Sequence, residues 1–152
     1  MRVYRITNRK HSHDIYGTGS ALYPGRWNKK GTRVLYTGES KEIALLEVLV
    51  HANNSLIPIL DILTIELPDN SIKSLSLNEL PPNWSEYPAP TILSEIGDRW
   101  AKENKTLALK VPSCIIDTSH VFILNCNHPH YNQVKVFDHR KFKVDIRLIQ
   151  KF

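Results

Sequence analysis

Glu47 is the residue with the most chemistry to offer. It stands within residues 43–50, a run whose other members are Ile, Ala, Leu and Val. An ionised carboxylate in such surroundings is costly unless it is paired or hydrogen-bonded, which leaves two readings. Glu47 faces solvent on a narrow polar strip or meets a nearby base, or it is held in a cleft where burial tunes its proton affinity. His51 follows four residues later, one helical turn along and on the same face. The two could form half of a metal site, completed by His11, His13, His128 or His130. No HExxH or spaced Cys/His signature accompanies them, so no metal is expected.

Three other places carry reactive or ligand-binding side chains. Arg26 lies between Gly25 and the pair Trp27-Asn28. Glycine lets backbone approach a ligand closely, and an arginine fork grips phosphate oxygens through two parallel hydrogen bonds. Trp27 stacks on a base or anchors the loop in the core, the second being the usual fate of a tryptophan. Lys29 and Lys30 form a solvated turn that would also attract anions. Tyr36 closes a strand-like run, where a half-buried aromatic is ordinary. Ser113 follows Pro112 and reads equally well as a turn former, and no GxSxG elbow supports a serine hydrolase. A Walker loop and a GxGxxG turn are both missing, so the usual nucleotide folds are not indicated.

The elements that must position these residues follow from pattern and punctuation. Residues 2–6 (RVYRI) read as a strand and 7–20 as loop with room for a short helix. Residues 22–32 (LYPGRWNKKGT) read as an ordered, turn-rich loop, and 33–37 (RVLYT) as a strand. Ser40 caps a helix over 41–52, apolar on nearly every face and therefore expected to be buried. A strand over 59–67 precedes residues 68–90, which hold five of the nine prolines and read as a long loop with a helical turn near Leu77. Helical spacing of Ile92, Ile96 and Trp100 predicts a helix over 91–104. Short strands are expected at 107–111, 114–116, 121–124, 134–137 and 144–149. Strands and helices mix without regular βαβ alternation, so the fold class is α+β.

The 152 residues suit one domain, 1–152, and 41% apolar with 23% charged residues excludes global disorder. Charges interrupt every apolar run at the N-terminus and no run could span a bilayer, so a soluble, cytoplasmic protein without membrane contact is expected. Cys114 and Cys126 are too few for a disulfide framework and read as core thiols. A net charge of +5, with an isoelectric point near 9.2, favours an anionic partner without naming it.

Taken together, several blocks form a recognisable order: GRWNKKGTRVLYTGES (25–40), ALLEVLVH (44–51), GDRW (97–100), LKVPS (109–113), ILNCNHP (123–129) and VDIRL (144–148). With RVYRI at residue 2 they cover nearly the whole chain, which resembles the RES domain family. The resemblance implies a compact α+β domain similar to ADP-ribosyltransferase toxins, with a mixed, split sheet flanked by helices. It implies a toxin of a toxin–antitoxin pair that consumes NAD by hydrolysis or phosphorolysis at the nicotinamide–ribose bond. NAD is then the substrate, and no further cofactor is expected. The implied protein partners are an Xre-family antitoxin and a second copy in a homodimer, with nucleic acid reached only through the antitoxin.

Carried over by motif, Arg26, Tyr36, Glu47 and Ser113 are the implied catalytic residues. Arg26 holds phosphate, Glu47 faces the ribose where positive charge develops, Tyr36 packs against nicotinamide or ribose, and Ser113 hydrogen-bonds the nicotinamide end. Arg26, Trp27, Tyr36, Ser113 and His51 are the implied NAD-binding residues, His51 falling on a recurrent family position. Two departures stand out: Gly38 where the family often has serine, and Cys126-Asn127 within a block that often reads LNPxHP. Three rivals remain at this stage: transfer of ADP-ribose to a protein, a toxin ribonuclease using Arg26, Glu47 and histidines, and a binding module without activity.

Overall fold

A computed structural model describes residues 1–51 and 59–150. Its centre is one sheet in the order β4-β5-β6-β2-β1-β3-β7. The strands are β1 (Arg2–Asn8), β2 (Val34–Gly38), β3 (Leu60–Glu66), β4 (Ile72–Ser74), β5 (Ala108–Pro112), β6 (His120–Asn125) and β7 (Lys135–Phe142). All neighbours are antiparallel except β4 and β5. The helices are α1 (Thr18–Leu22), α2 (Lys41–Leu49) and α3 (Thr91–Glu103). The expected α+β class, with a mixed sheet and flanking helices, is what the chain forms. No helix among the described residues is long and apolar enough to cross a membrane.

The sheet is nearly divided. β1 pairs with β3 over seven residues and β2 with β6 over five, yet β1 meets β2 only at Tyr4 and Gly38. Beyond that pair the strands separate, and Arg5 reaches across with Nη1 3.1 Å from the Tyr36 carbonyl. Helix α2 covers this seam. Ile43 and Leu46 pack with Val34, Trp100 and Ile123 on one side, while Ala44, Leu45, Val48 and Leu49 pack with Ile6, Leu60 and Ile62 on the other. Ser40 caps α2 as expected, its hydroxyl accepting the Ile43 amide at 3.2 Å. The helix is less buried than an all-apolar run suggests, for only Ile43 and Ala44 are fully covered and Val50 is 58% exposed. The opposite face of the sheet carries Val3, Leu35, Leu63, Phe122 and Leu124, covered by Ile15, Tyr131 and Val134.

Several boundaries differ from the sequence pattern. Cys114–Ile116 is a turn, because the Ser113 hydroxyl accepts the amides of residues 115 and 116 in place of a strand partner. β7 runs on to Phe142 without apolar alternation, since it is an edge strand with most side chains exposed. Residues 144–149 contain a 3₁₀ turn, Ile146–Leu148, capped by Asp145. The loop read over 68–90 contains the short strand β4 as well as the expected turn, Leu77–Glu79. Helix α2 ends at Leu49; residue 52, its expected end, lies outside the described residues.

A buried carboxylate ties β3 to its surroundings. Asp61 accepts from Arg9 Nε at 2.7 Å, Ser12 Oγ at 2.9 Å and His139 Nε2 at 2.8 Å. The Arg9 hydrogen bond does most to hold its carboxyl down at about 2, with burial opposing and His139 and Ser12 assisting. A folded-state value below the unfolded one gives stability that is full above about pH 4 and is lost as pH falls toward 2. Asp61→Asn is therefore expected to lower Tm at pH 7, and the difference from wild type should shrink on acidification from pH 5 to pH 2. Thermal melts across that range check both the sign and the window.

Candidate active site

Glu47 and Ser113 meet. Helix α2 carries Glu47 over the seam and β5 delivers Ser113 at its C-terminal end, with Ser113 Oγ 3.0 Å from Glu47 Oε1. Ser113 is buried at 1% exposure, and its oxygen accepts the Ile115 amide at 3.1 Å and the Ile116 amide at 3.4 Å. With the lone pairs facing N–H groups, the hydroxyl proton is left for the carboxylate. The hydroxyl thus donates to one oxygen of the glutamate carboxylate. Glu47 is half-buried, with the Ser113 hydroxyl as its hydrogen-bond partner.

The 25–28 loop closes the other side. Arg26 is half-buried and its Nη1 donates to the Trp84 carbonyl at 2.8 Å, joining this loop to residues 81–90. The Tyr36 hydroxyl donates to Asn28 Oδ1 at 2.7 Å and accepts the Trp27 amide at 3.0 Å. Burial raises the Tyr36 pKa well beyond its usual range, against the smaller opposing effects of the Trp27 amide and the Arg26 charge. Its hydroxyl is therefore a neutral structural tie, and its ring packs against the buried cluster and Gly25. The Trp27 indole sits in the core at 3% exposure with Val34, Trp84 and Trp100. Of its two readings it takes the loop anchor, and the indole has no free face for a base. His51 is exposed and lies past the end of α2, its amide bonded to the Val48 carbonyl.

Cys114 was read as an inert core thiol, yet it lies within electrostatic reach of both Arg26 and Glu47. Burial pushes its pKa up, and Arg26 only partly offsets this, so the thiol is protonated at neutral pH. The histidines do not converge on Glu47. His13 packs on His139 and His128 on His130, and no group of three or more His, Cys, Asp or Glu among the described residues is placed to hold a metal. Both departures from the motif blocks have a structural setting. A Cβ on Gly38 would lie 2.9 Å from the Ala44 amide nitrogen, so the start of α2 occupies the space a serine would need. Cys126 contacts Ile15 on the opposite face of the sheet, away from Glu47 rather than beside it.

Helix α3 supports the arginine loop through a close approach. A Cβ on Gly97 would fall 1.8 Å from the Trp27 carbonyl oxygen, and the next residue, Asp98, accepts from Thr32 Oγ1 and pairs with Lys102 at 2.8 Å. Asn28 and Gly97 were not singled out by sequence reading. Both lie within the quoted blocks, GRWN and GDRW, but residue type alone does not reveal that one is a hydrogen-bond hub and the other a contact point.

A half-buried glutamate bonded to a buried serine thus lies beside the seam of a mixed sheet, with Arg26 and Glu47 both within electrostatic reach of Cys114. The chain belongs to the RES domain family, whose model matches residues 2–145. It is 35% identical to "Toxin Res" of Photorhabdus laumondii over 156 aligned positions, covering 99% of this chain and 98% of that protein. It is 33% identical to the "Prs ADP-ribosylating toxin" of a Sphingobium species, covering 91% and 88%. Its fold matches a chain in the crystal structure of the M. tuberculosis MbcT–MbcA toxin–antitoxin complex with a TM-score of 0.77 at 17% identity, covering 98% of this chain and 86% of that one.

Gly97→Ala tests the loop support. Overpacking against backbone typically costs about 1–3 kcal/mol, and here the obstructing atom is a carbonyl that can move only with the loop. The variant is expected to lose Tm by several degrees and to displace residues 25–28, whereas Gly19→Ala, with open space around its added methyl, leaves the loop in place. Melting curves and tryptophan fluorescence compare the two.

Proposed function

We propose that this protein is the toxin of a toxin–antitoxin pair and that it cleaves NAD at the nicotinamide–ribose bond, with Glu47 as the central catalytic residue. The observation that carries the reading is the 3.0 Å hydrogen bond from Ser113 to Glu47, with Arg26 and Glu47 both within electrostatic reach of Cys114. Support comes from membership of the RES domain family and from relatives named as toxins, one of them ADP-ribosylating.

In this mechanism Arg26 grips the pyrophosphate and fixes the scissile bond near Glu47. The C–N bond breaks with its electron pair leaving on nicotinamide, and positive charge builds on the ribose. Glu47 stabilises that charge and orients the ribose hydroxyls. An acceptor oxygen from water or phosphate then bonds to the anomeric carbon and loses its proton to solvent or to the carboxylate. The Tyr36 ring lines the site while its hydroxyl stays bound to the loop. The pairing of an antitoxin with this chain belongs to the same proposal, an Xre-type protein being the expected partner.

A second reading, transfer of ADP-ribose to a protein, is favoured by the name of the Sphingobium relative. It shares the bond-breaking step and differs only in the acceptor.

Purified protein should release nicotinamide from NAD, and Glu47→Gln should abolish release while keeping the wild-type Tm within a few degrees. Ser113→Ala should retain activity lowered by about tenfold, matching the ~1.4 kcal/mol of one orienting hydrogen bond. Chromatography of nicotinamide, with and without phosphate and with labelled NAD in cell extract, separates hydrolysis, phosphorolysis and protein transfer. Full activity in Glu47→Gln would remove that residue from the mechanism.

A further inference from the structure

Asn28 makes more site-shaping contacts than any residue yet assigned a role. It is 1% exposed. Its Oδ1 accepts the Gly25 amide at 2.8 Å and the Tyr36 hydroxyl at 2.7 Å. Its Nδ2 faces the carbonyls of Ser20 at 2.9 Å, Thr32 at 3.2 Å and Lys29 at 3.3 Å. Every donor and acceptor of the amide is thereby used, and the partners leave no doubt about its orientation: N–H and O–H groups lie on one side, carbonyls on the other. One side chain ties α1, both ends of the 25–32 loop and β2 into a single unit.

We propose that Asn28 is a positioning residue for NAD: through Gly25 on one side and Tyr36 on the other it holds Arg26 in place to grip the pyrophosphate. The inference rests on the function proposed above and extends it to a residue that never touches substrate. Arg26 lies between Gly25, whose amide Asn28 captures, and Trp27, whose amide is held by the Tyr36 hydroxyl that Asn28 also captures. The arginine backbone is pinned on both flanks. Its guanidinium is held by the Trp84 carbonyl and by a hydrogen bond with Cys114, and a loosened backbone would shift the fork relative to a bound phosphate. Leucine or alanine cannot substitute, since neither offers an acceptor to Gly25 and Tyr36 nor donors to the three carbonyls.

A contact made equally in the ground and transition states changes KM and leaves kcat. Asn28→Ala is thus expected to raise KM for NAD about tenfold with kcat within about threefold, measured well below its lowered Tm. In an Arg26→Ala background the same substitution should add no further rise in KM, although it still lowers Tm. A merely structural asparagine would lower Tm equally in both backgrounds and leave KM alone, and that result overturns the proposal. If Asn28→Ala does not fold, Tyr36→Phe keeps the ring and deletes one tie, and is expected to raise KM in the same direction.

Amide exchange gives a readout that needs no activity. Protection of the Gly25 and Trp27 amides should fall at least about tenfold in Asn28→Ala, about 1.4 kcal/mol of local opening, relative to amides in β6. Absence of nicotinamide release by the wild type would sink the proposed function, and the exchange measurement would still decide whether Asn28 holds the loop. Unchanged protection overturns the positioning role whatever the activity shows.

Discussion

The two halves of the sheet are joined by one backbone pair, Tyr4 with Gly38, and the rest of the architecture is arranged around that weak seam. Sheets hold together through ladder hydrogen bonds, so strands that part need other bonds to replace them. Arg5 does this in part, donating from Nη1 to the Tyr36 carbonyl while its Nε is buried without a hydrogen-bond partner among the described residues. Burial draws the Arg5 pKa down, with Asp14 opposing, which is the electrostatic cost of a guanidinium in that position. Helix α2 supplies the remaining adhesion by packing apolar side chains on both sides of the gap. A helix required to bridge two half-sheets is also the element that brings a carboxylate to Ser113 at the end of β5.

From this constraint the chemistry follows in order. Gly38 lets α2 begin directly after β2, and β5, parallel to β2 through their shared partner β6, ends beside the same helix. Ser113 is therefore delivered to Glu47 by topology, and the turn amides behind it direct its proton to the carboxylate. The arginine loop approaches from α3, where Gly97 allows backbone contact with Trp27. Elements of the fold on three sides thus hold Arg26, Tyr36 and Glu47, the residues on which the proposed mechanism relies. Cys114, a protonated thiol within electrostatic reach of Arg26 and Glu47, adds bulk to the site without adding a charge.

Much of this was legible in the sequence, for identifiable reasons. Glu47 is conspicuous because a carboxylate interrupts an apolar run, and Ser40 announces the start of α2 because capping is a local interaction. The strands β1, β2, β3, β5 and β6 carry the β-branched and aliphatic residues of a buried sheet. β7 was legible only over 134–137 because the rest of an edge strand held by β3 needs no apolar alternation, and β4 escaped because three residues in a proline-rich stretch give too short a signal. The Cys114–Ile116 run looked like a strand on composition, whereas Ser113 turns it by capturing two amides. Long-range facts were beyond reach: no local pattern says that Asn28 gathers five partners or that Cys126 lies on the far face of the sheet. Such facts depend on which segments the fold brings together.

The most direct test of the central claim is a crystal structure of the Glu47→Gln variant with NAD bound. The account predicts the nicotinamide ribose within hydrogen-bond distance of the residue 47 side chain, the pyrophosphate against Arg26, and Ser113 still bonded to residue 47. NAD seated elsewhere on the molecule, or bound with its pyrophosphate away from Arg26 and its ribose out of reach of residue 47, would contradict it.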